Sequence, residues 1–266
     1  MTSQVTYTLT PGTLPLLISI PHLGTALPPE FAAQMHATAS ITQDTDWHLD
    51  RLYAFAHSLG ASVLKAHVSR YVIDLNRPPS GESLYPGQTT TGLCPVETFH
   101  GEPLYRAGAE PAAAEQERRL QHFWMPYHRA LEQELARLKS VHGAVLLWDA
   151  HSIASVLPRL FEGQLPDLNL GTHSGQSCRA ALIDSVATVA AASRFSHVVN
   201  GRFKGGYITR HYGQPEQNVH AIQLEMSQCL YMDEAAPFDY LEYRATSVQP
   251  VLQAMLQAAL EQLRQR

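Results

Sequence analysis

The chain has 266 residues, a net charge of −5, 45% hydrophobic residues and 16% charged ones. This is the balance of a soluble globular protein long enough to bury a sizeable core, and it favours neither a nucleic-acid nor a general membrane-surface partner. No apolar run approaches the roughly 18 residues of a membrane span, the start MTSQVTYTLT lacks a signal-peptide core, and Cys94, Cys178 and Cys229 are odd in number and widely spaced. Reduced cysteines and a cytoplasmic location are expected.

In chain order, Leu14 to Ile20 reads as a strand that Pro21 stops, leaving His22 and Gly24 in a loop. Asp44 or Thr45 can cap a helix whose inward positions are Leu49, Leu52, Tyr53 and Ala56, with Asp46 and Asp50 on a shared face. Ser62 to Val68 and Tyr71 to Leu75 read as strands meeting at Ser69-Arg70. Pro78 to Pro111 carries Pro, Gly and Thr without periodicity, and loops of that length are usually functional or mobile. A helical stripe follows at Leu120, Trp124, Tyr127, Leu131, Leu135 and Leu138, with Pro126 set to kink or divide it.

Ala144 to Trp148 has the make-up of a fully buried strand, so Asp149, His151 and Ser152 are expected at its C-terminal end. Pro158 to Gly175 reads as irregular, and Cys178, Leu182, Val186 and Val189 mark a helix. Val198 to His211 reads as a basic, glycine-rich loop or hairpin, and Val219 to Leu224 as a strand with Glu225 just past it. Ser247 is placed to cap a last helix with Val251, Leu252, Met255, Ala259 and Leu263 inward. Strands alternating with helices, with no repeat and no linker, predict a single α/β domain over residues 1–266 around a central mixed sheet flanked by helices.

The chemistry-bearing residues gather where apolar runs end. In open α/β sheets that edge is where ligands bind, so His22, His151 and Glu225 converge if their strands are parallel neighbours. Two histidines suit a metal, which then needs a carboxylate from Asp44, Asp46 or Asp50; a helix's first turn is the alternative use for those acids. Asp46 is the choice here. Asp149 can orient an imidazole or form a turn. Glu225 can act as general base or pair with an arginine. Arg70, Arg77, Arg202 and Arg210 suit bidentate carboxylate binding, with a solvated basic hairpin as the plain alternative. A phosphate loop, an HExxH helix and a GxSxG elbow are all absent from the sequence.

Eight motifs in register, SIPHLGT, DTDWHLDRLY, SRYVIDLNRPP, LYPGQTTTGLCP, LWDAHSI, LPDLNLGT, NGRFKGGYITRHYGQP and HAIQLEMSQCLYM, resemble the N-formylglutamate deformylase, or amidohydrolase, family of histidine degradation. The likeness runs from about His22 to Met232. It implies a fold similar to the zinc carboxypeptidases and aspartoacylase-like deacylases, with one Zn2+ at the edge of a mixed sheet. Those relatives draw a histidine and a glutamate from HxxE. Here Thr25 stands three residues after His22, so the carboxylate must come from elsewhere, and Asp46 takes that place.

The resemblance thus implies zinc on His22, Asp46 and His151, with Glu225 as general base. The expected reaction is hydrolysis of N-formyl-L-glutamate to formate and L-glutamate, with Arg70, Arg77, Arg202 and Arg210 as candidates for the substrate carboxylates. The alternatives are a related zinc deacylase acting on an N-acylaspartate or N-succinylglutamate, and a non-catalytic binder of an anionic metabolite.

Overall fold

The computed structural model describes residues 5–265. Its strands are β1 (Tyr7–Thr10), β2 (Leu16–Ile20), β3 (Ser62–Ala66), β4 (Val145–Ile153), β5 (Leu168–Gly171), β6 (His197–Val199) and β7 (Val219–Ser227). They form one seven-stranded mixed sheet in the order β1-β3-β2-β4-β7-β5-β6. The four central strands β3, β2, β4 and β7 are parallel; β1 runs against β3, and β5, with β6 parallel to it, runs against β7. Every residue of β2 and β4 is buried, as continuous apolar runs covered on both sides should be.

Side chains alternate between the two faces of the sheet. Leu16, Ile18, Leu146, Trp148, Ile222 and Leu224 belong to one core, against the helices Ala180–Ala192 and Glu242–Arg264. Leu17, Leu64, Val145, Leu147 and Ala221 belong to the other, beneath Met125–His142. Burying each such aliphatic side chain stabilises the fold by about 1.5–3 kcal/mol. No helix among the described residues is long and apolar enough to cross a membrane.

Several local expectations are corrected. Asp44 and Thr45 cap nothing: the segment forms two four-residue helices, Leu49–Leu52 and Ala56–Leu59, and His48 before the first is left-handed at φ 60°. That break separates Asp46, which is buried, from Asp50, which is exposed. Tyr71 to Leu75 is not a strand, because the Asp74 N–H bonds to the Leu93 carbonyl and its carboxylate to the Asn76 N–H.

The stripe from Ala113 is one long rod in three parts: Ala113–Arg119, a π-helical turn at Leu120–Trp124, and Met125–His142 with Pro126 in its first turn. Pro126 removes one N–H from the ladder of this continuous rod, and the π-helical turn lies immediately before it. The region 158–175, expected to be irregular, contains β5. The basic segment is no hairpin but leads from β6 into the short helix Tyr207–Tyr212. Ser247 lies inside the last helix rather than at its cap. Finally, β4 and β7 each run beyond their apolar stretch, so His151 and Glu225 lie within strands rather than past them.

Candidate active site

The parallel register of β4 on β7 sets Asp149 opposite Gln223 and His151 opposite Glu225. These four share the sheet face that begins with Val145, Leu147 and Ala221, so apolar core gives way to a polar layer toward the strands' C-terminal ends. His22 enters from the neighbouring β2, two residues past Ile20. Asp46 is brought in by its backbone, whose N–H donates to the His22 carbonyl at 3.0 Å. Its carboxylate also accepts the Ser152 N–H at 3.2 Å. The three expected ligands therefore meet, with one donor atom from each within 4.8 Å of the others, all buried.

Both imidazoles turn Nδ1 toward Asp46, at 3.0 Å from His151 and 3.7 Å from His22. Their other nitrogens are held from behind. His22 Nε2 lies 2.7 Å from Asp74 Oδ1, and His151 Nε2 lies 3.1 Å from Asp149 Oδ1. Asp149 Oδ1 is buried with no other hydrogen-bond partner, and the Asn76 amide nitrogen also approaches His151 Nε2, at 2.9 Å. Carboxylates behind histidines in this way fix the ring and favour the tautomer whose Nδ1 is an acceptor, and on His22 that nitrogen accepts from Arg70 Nη1 at 3.3 Å. Two nitrogens and one carboxylate oxygen, so supported, could hold a metal ion.

Charges in the layer are strongly coupled. Burial would raise the Asp46 pKa, but hydrogen bonds with His151 and His22 outweigh it and hold the carboxyl well below the usual range. Burial opposes charging His151, yet Asp149 and Asp46 push its pKa well up. A cation entering between them would displace that proton. Glu225 goes the other way: burial, reinforced by Asp46 and Asp149 and opposed by His151 and Arg70, pushes it up to about 8.

The N-formylglutamate amidohydrolase profile matches residues 14–232. The chain belongs to this family. It is 56% identical over 256 residues to the N-formylglutamate deformylase of Pseudomonas aeruginosa, covering 96% of each chain. It is 52% identical over 250 residues to that of Pseudomonas putida, covering 94% of this chain and 93% of that one. The crystal structure of N-formylglutamate amidohydrolase from Ralstonia eutropha JMP134 superposes with a TM-score of 0.82 at 26% identity, covering 98% of this chain and 99% of that one.

In this amidohydrolase the rejected carboxylates have other partners. Asp44 accepts the Phe99 N–H at 2.9 Å, and Asp50 is exposed and paired with Lys65. The arginines separate. Arg70 is buried, 2.6 Å from Asp74 and 3.9 Å from Asp46, and so belongs to the charge network beside His22. Arg77 lines the cleft, but it donates to Thr91 and to the Asn76 carbonyl and lies 3.7 Å from Asp74. Arg210 does not line the cleft; it donates to the Gly205 and Leu84 carbonyls. Arg202 does line it, half-buried, with Nε on the Leu160 carbonyl and Nη2 on the Thr89 carbonyl and no carboxylate partner among the described residues.

Sequence reasoning missed Asp74, Asn76 and Gln223. Asp74 carried the same signal as Glu225, an acid inside an apolar run. Asn76 Nδ2 lies 2.9 Å from His151 Nε2 while its Oδ1 accepts the Ile208 N–H at 2.8 Å, joining the metal layer to the glycine-rich segment. That contact needs Gly206, where an added Cβ would meet Asn76 side-chain atoms at 2.4–2.6 Å. Gly206→Ala is expected to destabilise the fold by about 1–3 kcal/mol through overpacking, read as a lower urea midpoint.

Proposed function

We propose that this chain hydrolyses N-formyl-L-glutamate to formate and L-glutamate with one zinc ion held by His22 Nδ1, Asp46 and His151 Nδ1. The observation that carries this reading is the meeting of those three donors beside Glu225, in a cleft with cationic side chains on its wall. Its family and its likeness to two deformylases over nearly their whole length support the substrate. When bound, zinc would polarise the formyl carbonyl and acidify the attacking water.

The protein's own groups do the rest. Glu225 takes the proton of the water as its oxygen attacks the formyl carbon, and later hands that proton to the glutamate nitrogen as the C–N bond breaks. Asp74 and Asp149 keep the imidazoles in place throughout. Arg70 lines the cleft beside His22, where its fixed positive charge would favour the negative charge that builds on the formyl oxygen. Arg202 takes the distal carboxylate, having charge to offer that no acid on the protein already holds. A half-buried guanidinium left without that carboxylate is costly, so selectivity follows. We also infer that the whole chain acts as one domain and, from its three free cysteines, that it works in the reducing cytoplasm.

The test is formate release by the zinc-loaded protein. N-formylglutamate should be turned over with kcat/KM at least about 100-fold above that for N-formylmethionine, as befits loss of a paired charge. Equal rates, or preference for an N-acylaspartate or N-succinylglutamate, overturn the substrate assignment. No hydrolysis and no stoichiometric metal would favour a binder.

A further inference from the structure

Between Pro78 and Thr91 the chain crosses the mouth of the cleft as an exposed strap, with Gly81 and Gly87 at positive φ and open space around both. Tyr85 anchors it. Its hydroxyl donates to the Gly205 carbonyl at 2.9 Å and accepts the Lys204 N–H at 3.2 Å. Two guanidinium groups lie over its ring, Arg210 at 4.8 Å and Arg202 at 5.6 Å from the centroid. Those arginines grip the strap in return: Arg210 donates to the Leu84 carbonyl and Arg202 to the Thr89 carbonyl, on either side of Tyr85.

We infer that Tyr85 is a specificity-determining positioning residue, which holds Arg202 in place for the substrate's distal carboxylate and ties that recognition to closure of the strap. The inference rests on the proposed role of Arg202. Two of the Arg202 nitrogens are spent on backbone carbonyls, one from the strap and one from Leu160, and the guanidinium carbon lies 5.6 Å from the Tyr85 ring centroid and 5.2 Å from that of Phe203. These contacts leave Nη1 as the Arg202 nitrogen without a hydrogen bond among the described residues, on a side chain that lines the cleft. A preset fork keeps more of its hydrogen-bond energy for ligand than a mobile one. Substrate bound to Arg202 stabilises the strap's anchor, and a closed strap keeps Arg202 aimed. Neither effect touches the formyl group, so Tyr85 should act on binding and selectivity and leave the chemical step alone.

The experiment compares zinc-loaded wild type, Tyr85→Phe and Tyr85→Ala. Tyr85→Phe keeps the ring and removes both hydroxyl bonds; Tyr85→Ala removes the platform as well. For N-formylglutamate, KM is expected to rise about tenfold in Tyr85→Phe and further in Tyr85→Ala, with kcat within about twofold. Preference over N-formylmethionine falls by the same factor, a change that general loosening of the fold would not produce. Cleavage by a glutamate-specific protease at the exposed Glu82 gives a readout independent of turnover. L-Glutamate should protect that bond in wild type and not in the variants. Unchanged KM and preference in Tyr85→Phe, or equal protection in wild type and variant, would overturn the inference. Should wild type fail to hydrolyse N-formylglutamate, the proposed function falls instead, and the protease arm still decides whether the strap answers to a dicarboxylate.

Discussion

Replacing Glu225 with Gln is expected to lower kcat by about 10²–10⁴-fold, the usual worth of a positioned proton carrier, while zinc content stays stoichiometric. Gln is nearly isosteric, so the buried position keeps its packing. The Asn169 side chain bonds to the backbone carbonyl of residue 225, and that contact is untouched. What disappears is an atom able to receive a proton. In the metal-free chain burial pushes the Glu225 pKa up to about 8, so at neutral pH it is mostly protonated and a poor base. A bound dication acts in the same direction as His151 and Arg70, favouring the carboxylate, so the base becomes competent only when the metal is present. Full activity in Glu225→Gln would remove it from the mechanism.

The same shift makes a second, independent readout. A folded-state pKa of about 8 against an ordinary value of 4.5 means the folded chain holds this proton more tightly than the unfolded chain. The resulting stability is fully present below pH 4.5 and is lost as pH rises through about 8. Denaturant midpoints of the metal-free protein should therefore fall across that window, and Glu225→Gln should flatten the fall. An identical slope in variant and wild type would show that another group carries the proton.

Much of the site could be read from residue order because strands keep their direction. His22, His151 and Glu225 each follow an apolar run, and β2, β4 and β7 prove to be parallel and adjacent, which is all that convergence required. The strands' true ends could not be read. Asp149, His151 and Glu225 look like residues past a strand's end, yet they extend the ladder within a layer of polar partners. β5 was hidden for a related reason: LNLG has only two apolar residues, and the Asn169 amide nitrogen offsets its burial by donating to the Pro166 and Glu225 carbonyls. In the other direction, Tyr71 to Leu75 has a strand's composition, but its buried Asp74 serves His22 and Arg70 instead of a ladder. Local pattern reports hydrophobic burial well; it does not report which polar groups will find partners far along the chain.

The choice of Asp46 over its neighbours gives the other large expected effect. Asp46→Asn should abolish stoichiometric zinc and with it activity, whereas Asp44→Asn and Asp50→Asn should load normally. The argument is one of place. Only Asp46 sets a carboxylate oxygen within 3.7 Å of both Nδ1 atoms, while Asp44 serves a backbone N–H and Asp50 a surface lysine. Asn keeps an oxygen that can still accept the Ser152 N–H and face the His151 ring, so the apoprotein should fold. It lacks the negative charge that a dication needs from this donor set. Metal binding to the folded state alone raises stability by about 2.7 kcal/mol at 100 times the dissociation constant. The zinc-dependent rise in denaturant midpoint should appear in wild type, Asp44→Asn and Asp50→Asn and vanish in Asp46→Asn. A metallated Asp46→Asn with an undiminished shift would transfer the third ligand to another residue, and Asp74 and Asp149, already behind the two imidazoles, would be the first to try.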